Sequence, residues 1–173
     1  MAVKPTYEEL EQRIWELEWR LEQMEETLRV SVERNRLATS AAKVGVWDWN
    51  LETNEFYLDK NVKALLGYSD NEIPNDINVW TTYVHPDDLE SVMKAFQAHI
   101  EGETPEYVFE HRMKHKDGSI RWILVRGIAI RDDQGVPVRV IGSDTDITER
   151  KWAEEEKVKL ERQVQHAQKL ESL

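Results

Sequence analysis

The chain has 173 residues, of which 40% are hydrophobic and 33% charged, with a mean hydropathy of -0.68; that length suits one domain with appendages, and the charge content suits an ordinary core carrying long solvated helices. No run nears the roughly 18 apolar residues of a membrane span and the N-terminus has no signal-peptide apolar segment, so a cytoplasmic location without a membrane partner is expected. The absence of cysteine excludes disulfides, thiolate metal sites, cysteine nucleophiles and light sensors that form a cysteinyl adduct, and a net charge of -11 repels a phosphate backbone, so no nucleic acid partner is expected.

Residues 1–36 hold 6 basic and 9 acidic residues with no glycine. Thr6-Tyr7-Glu8-Glu9 fits a capping box that starts a helix. Tyr7, Leu10, Ile14, Leu17, Leu21, Met24 and Leu28 follow at alternating steps of three and four, a heptad seam that needs a partner. With Tyr7 at position a, Glu11, Glu18 and Glu25 occupy e, and Arg13 and Arg20 occupy g. Parallel packing sets Arg13 beside Glu18 and Arg20 beside Glu25, whereas antiparallel packing opposes like charges. Each exposed pair contributes only about 0.5 kcal/mol, but the sign of the sum selects a parallel homodimer. The alternative is one long helix folding back on its own domain. Ser31 and Asn35 interrupt the seam, as a register-fixing polar layer or as the point where the helices splay. Trp15 and Trp19 lie off the seam, as surface aromatics or as contacts for another domain.

Residues 37–143 hold all seven glycines and four of the five prolines, which marks the compact domain. Val44–Leu51 and Glu55–Leu58 are strand candidates around a Thr53-Asn54 turn, and Lys60–Leu66 is a short helix closed by Gly67. Ser69-Asp70-Asn71-Glu72 repeats the capping-box pattern and predicts another short helix. His85-Pro86-Asp87-Asp88 opens a longer helix to about Ile100, with proline at the first helical position and aspartates at the positive dipole end. Tyr107–Lys114 alternates as a strand, Asp117-Gly118 is a hairpin turn, and Ile120–Ile130 and Val136–Thr145 complete a meander. The expected fold class is α+β: a five-stranded antiparallel sheet with helices on one side, flanked by N- and C-terminal coiled-coil helices. The domain division is 1–36 coiled coil, 37–147 compact domain and 148–173 exit helix.

Five segments in order resemble a PAS sensory domain with its C-terminal PAC motif. They are Gly45-Val46-Trp47-Asp48-Trp49-Asn50-Leu51, Leu66-Gly67-Tyr68, Val84-His85-Pro86-Asp87-Asp88, Lys116-Asp117-Gly118-Ser119-Ile120-Arg121-Trp122, and Gly142-Ser143-Asp144-Thr145-Asp146-Ile147-Thr148-Glu149-Arg150-Lys151. The resemblance covers about residues 37–151. It implies a cupped sheet, often with an apolar cavity, and dimers. Gln165-His166-Ala167-Gln168-Lys169-Leu170-Glu171-Ser172-Leu173 looks like the start of the dimerisation and phosphotransfer helix of a sensor histidine kinase. The chain is therefore expected to be a piece of a longer protein with a kinase downstream; a diguanylate cyclase is the other effector such an exit helix serves.

No catalytic or metal-binding residue is assigned. His166 is followed by Ala167, Gln168 and Lys169 rather than by an acidic residue, unlike a phospho-acceptor, and no glycine-rich nucleotide loop occurs, so the chain is not itself an enzyme. His111 and His115 are four apart on a strand, which spans about 13 Å and is too far for one metal ion. His99 falls on the helix where some PAS relatives carry a haem ligand, but a helix-end histidine needs none. No cofactor is expected; haem or a small apolar ligand are the minor alternatives. Phe109, His111, Met113, Trp122 and Leu124 share face parity within their strands and read either as core or as the wall of a ligand pocket. Asp146-Ile147-Thr148-Glu149 fits an Asp-led capping box that turns the last strand directly into a helix. The resemblance implies that Asp144, Asp146, Ile147, Thr148 and Glu149 relay sheet movement to that helix. The reading is a dimeric sensory module of a histidine kinase, with a ligand-free dimerisation scaffold as the alternative.

Overall fold

Thr6 and Glu9 begin the first helix as a capping box requires. In the computed structural model, which describes residues 5–171, the Thr6 amide donates to Glu9 Oε2 at 2.7 Å and the Glu9 amide to Thr6 Oγ1 at 3.3 Å. Helix α1 runs over Tyr7–Ala41, past residue 36. It forms a unit of its own that ends at Ala41. Glu16–Arg20, Glu26–Arg29 and Glu33–Arg36 pairs line its surface. The whole seam is exposed, from Leu10 at 45% to Tyr7 at 76%.

The second unit contains β1 (Val44–Asn50), β2 (Phe56–Leu58), α2 (Lys60–Leu65), α3 (Ile77–Thr81), α4 (Pro86–Ile100), β3 (Tyr107–Lys114), β4 (Ile120–Arg131), β5 (Pro137–Asp146) and α5 (Thr148–Glu171). Its sheet is antiparallel with strand order β2-β1-β5-β4-β3. The last strand thus lies at the centre, where movement on either side reaches it. Asp59 caps α2 by accepting from the Val62 amide at 2.8 Å, and His85 caps α4 by accepting from the Asp87 amide. Pro86–Ile100 therefore starts where its His85-Pro86 signal predicts, and Lys60–Leu65 ends one residue short of the expected Leu66.

The Ser69–Glu72 box makes its bond, Ser69 amide to Glu72 Oε2 at 2.8 Å, but no helix follows. Pro74 lacks an amide hydrogen and disfavours a helical Ile73. The helix opens instead at Ile77, where Asp76 accepts from the Asn78 amide at 2.8 Å.

The core lies between one face of the sheet and the helices. Trp47, Phe56, Leu58, Val62, Leu66, Trp80, Val84, Met113, Ile123 and Val140 are buried there. Burying each large apolar side chain contributes roughly 1.5–3 kcal/mol. In β3 the inward residues are Tyr107, Phe109, His111 and Met113, as the alternation predicts.

Candidate functional site

Two glycines shape the inner face of the sheet. Trp47 pairs with Gly142, Gly142 with Gly127, and Gly127 with Tyr107, a row across four strands. A Cβ at Gly142 would lie 2.2 Å from Trp47 Cζ2, and one at Gly127 3.0 Å from Trp47 Cη2. The missing side chains let the Trp47 indole lie against the sheet. From there its Nε1 donates to Asp144 Oδ1 at 2.9 Å. Asp144 is only 3% exposed, and burial pushes its carboxyl up to about 7.

A cavity of about 80 Å³ opens between this row, α3 and α4. Its walls include Trp47, Trp80, Phe96 and Tyr107, with Asp144 and His111 as the polar groups. Phe96 stacks on Trp49 at 5.2 Å and meets Tyr107 edge-on at 5.5 Å. His111 is 4% exposed, and its Nδ1 has no hydrogen-bond partner. Burial lowers its pKa to about 4, so the ring is neutral.

Of the five residues read as a pocket wall, His111 lines the cavity, while Met113 and Phe109 belong to the surrounding core. Trp122 and Leu124 are on the other side of the sheet. The hairpin pairs His111 with Ile123 and Arg112 with Trp122, so odd residues of β3 share a face with odd residues of β4. Ile123 and Val125 are the inward residues of β4. Asp144, expected only in the relay to the exit helix, also lines the cavity; the sequence signal for that place is its parity with Val140 and Gly142 on one strand.

The haem reading of His99 fails on geometry. Its Nε2 accepts from the Ala129 amide at 3.0 Å and its Nδ1 lies 3.0 Å from the Thr104 carbonyl oxygen. Both ring nitrogens are engaged. A cavity of about 80 Å³ is also far below the roughly 300–1,000 Å³ of sites for larger ligands. Among the described residues no group of three or more His, Asp or Glu is placed to hold a metal ion, and no helix is long and apolar enough to cross a membrane.

The second feature is the joint between β5 and α5. Asp146 remains paired with Ile123 in the sheet while its Oδ1 accepts from the Thr148 amide at 2.8 Å. Asp146 is thus the last strand residue, with Ile147 alone between β5 and α5. Ile147 donates its amide to the Trp122 carbonyl at 2.8 Å, and Thr148 Oγ1 accepts from the Trp122 amide at 2.9 Å. Ile147 and Thr148 are buried, whereas Glu149 is exposed and stands outside this set of bonds. The reciprocal half of the expected capping box, a bond from the Asp146 amide to the Glu149 carboxylate, is not among the bonds at this joint.

Charged groups brace the first turn of α5. Arg150 and Lys151 both pair with Glu110 of β3, and Lys151 Nζ lies 5.1 Å from the Trp122 ring centre. Arg112 covers the same ring at 5.8 Å and holds Asp88 of α4 through Nε at 3.0 Å and a terminal nitrogen at 2.6 Å. This guanidinium keeps the Asp88 carboxyl below its ordinary range. The helix that walls the cavity is thereby linked to the helix that leaves the sheet.

The PAS fold family matches residues 55–143 of the chain. A solved structure of a sensory box histidine kinase/response regulator from Burkholderia thailandensis is 37% identical, covers 78% of this chain and 98% of that chain, and superposes with a TM-score of 0.64. An Escherichia coli K12 protein named "Probable diguanylate cyclase DgcE" is 32% identical over 135 residues, 78% of this chain and 12% of its own length. A blue-light-activated histidine kinase of Brucella anthropi is 25% identical over 150 residues, 84% of this chain and 30% of its own. The chain thus spans less than a third of these two relatives. The five-stranded sheet, with α2, α3 and α4 on one face, and the family match agree: the chain belongs to the PAS fold family.

Proposed function

We propose that this chain is the sensing and dimerisation module of a cytoplasmic sensor histidine kinase, and that it works as a parallel homodimer. The observation that carries the reading is the joint at Asp146, Ile147 and Thr148, which joins the central strand to α5 through a single residue. Asp144 lies two residues earlier in the cavity wall, so a change there is transmitted through Asp144, Asp146, Ile147, Thr148 and Glu149 into the exit helix. The exposed seam of α1 and the exposed Val158, Leu160, Val164 and Leu170 of α5 supply faces for the second copy. Two packings of the exit helices a few kcal/mol apart, each favoured by a different cavity state, make a switch. The chain itself carries no phosphotransfer chemistry in this reading, and its partners are its own second copy and a downstream kinase domain, not nucleic acid or membrane.

Spin labels at the exposed Glu16 and Glu161 test the arrangement. Short intersubunit distances at both sites support parallel pairing, and their absence at both overturns it. The small cavity, about 80 Å³, favours a second reading, a ligand-free scaffold that only holds subunits in register. Exit-helix distances that stay fixed across every cavity variant and ligand would select it.

A further inference from the structure

The cavity combines three features that a merely filled core does not need. Asp144 brings a buried carboxyl to the cavity wall, and among the described residues only the Trp47 indole donates to it. His111 offers a buried Nδ1 without a partner. Aromatic rings, Trp47, Trp80, Phe96 and Tyr107, form much of the wall. In the neutral tautomer that carries its proton on Nε2, the His111 Nδ1 is an unsatisfied acceptor, a cost that a ligand donor would remove. Aromatic faces carry negative charge density and attract cations, and a buried cation requires a carboxylate partner. An anionic ligand would be repelled by the acid, and a neutral one would leave the carboxylate charge without a counter-charge. The volume of about 80 Å³ equals roughly three waters at about 30 Å³ each, which limits the occupant to a few heavy atoms.

We propose that the cavity binds a small primary or secondary alkylammonium ion, whose N–H groups donate to the Asp144 carboxylate and to Nδ1 of His111 while its carbon atoms lie among the aromatic rings. The inference rests on the sensory reading above and names the ligand class of that site. Binding requires the ionised carboxylate, so a proton leaves Asp144 as the cation enters. The groups around that carboxyl are the Trp47 indole of β1, the Asp59 carboxyl before α2, and Tyr107 of β3; His111 of β3 shares the cavity wall and is neutral.

The test titrates the full chain at about pH 8 with ethylammonium, ethanol, tetramethylammonium and acetate, following the Trp47 indole N–H signal by NMR, since that group is bonded to Asp144. Ethylammonium should shift the signal, with ethanol and tetramethylammonium at least tenfold weaker and acetate without effect. Asp144→Asn keeps a side-chain oxygen for the indole but no charge, and should weaken ethylammonium at least tenfold while leaving weak ethanol binding in place. Should that variant not fold, the unaltered chain decides: its affinity for ethylammonium should fall about tenfold per pH unit as the pH drops below the titration of Asp144. Equal binding of ethanol and ethylammonium, or an affinity flat from pH 5 to 8, overturns the ammonium assignment and leaves the sensory reading standing. No shift with any of the four at millimolar concentration overturns the assignment and favours the scaffold.

Discussion

Asp144→Asn and His111→Gln should change the pH dependence of stability in opposite directions over the same window. Burial raises the Asp144 carboxyl from an ordinary 3.8 to about 7. The folded state therefore binds a proton that the unfolded state has released, and stability is lost as pH rises through the interval. Burial lowers His111 from 6.5 to about 4. Here the unfolded state binds the proton first, and stability is lost as pH falls through the interval. At 1.36 kcal/mol per pH unit, Asp144 withdraws about 2 kcal/mol between pH 5 and 7, and His111 restores about 2 kcal/mol between pH 5 and 6.5. The two nearly cancel in the unaltered chain. Relative to it, Asp144→Asn should gain about 2 kcal/mol as pH rises from 5 to 7, and His111→Gln should gain about 2 kcal/mol as pH falls from 6.5 to 5. Urea unfolding followed by fluorescence gives both curves, at one fixed protein concentration because dimerisation itself stabilises. Differences that stay constant with pH for both variants would refute the assignment of these two groups as buried and oppositely shifted.

Three further outcomes follow from packing. Gly142→Ala places a Cβ 2.2 Å from Trp47 Cζ2 and 2.4 Å from the Arg126 carbonyl oxygen; the indole must leave the sheet and its bond to Asp144 must break, at a cost of about 1–3 kcal/mol or more, seen as a lowered urea midpoint and a shifted Trp47 indole signal. Thr148→Val leaves the Trp122 amide without its acceptor, which should cost about 1–3 kcal/mol and speed hydrogen exchange at Trp122 and Ile147 ahead of the central strands. Leu21→Glu introduces a charge into the α1 seam; light scattering should report a monomer mass while the near-UV circular dichroism of the PAS unit is retained, and an unchanged dimer mass would discard the seam as the pairing surface.

Local chemistry by itself determined much of this protein. The heptad of α1, its Thr6–Glu9 box, the Pro86 helix start and the alternation of Tyr107–Met113 each depend on neighbours a few residues away, and the bonds form where that spacing requires. Tertiary structure decided the rest. Ser69–Glu72 satisfies its cap but is not continued as a helix, because Pro74 follows and Asp76 supplies a competing start. Trp122 and Leu124 fall outside the cavity because the register of the β3–β4 hairpin, not parity within each strand, assigns faces. The cavity itself depends on a contact 97 residues apart in sequence, Trp47 with Asp144. No local pattern specifies that contact: it exists because two glycines on adjacent strands leave room for an indole, and burial by the surrounding helices then changes the protonation of the acid it meets.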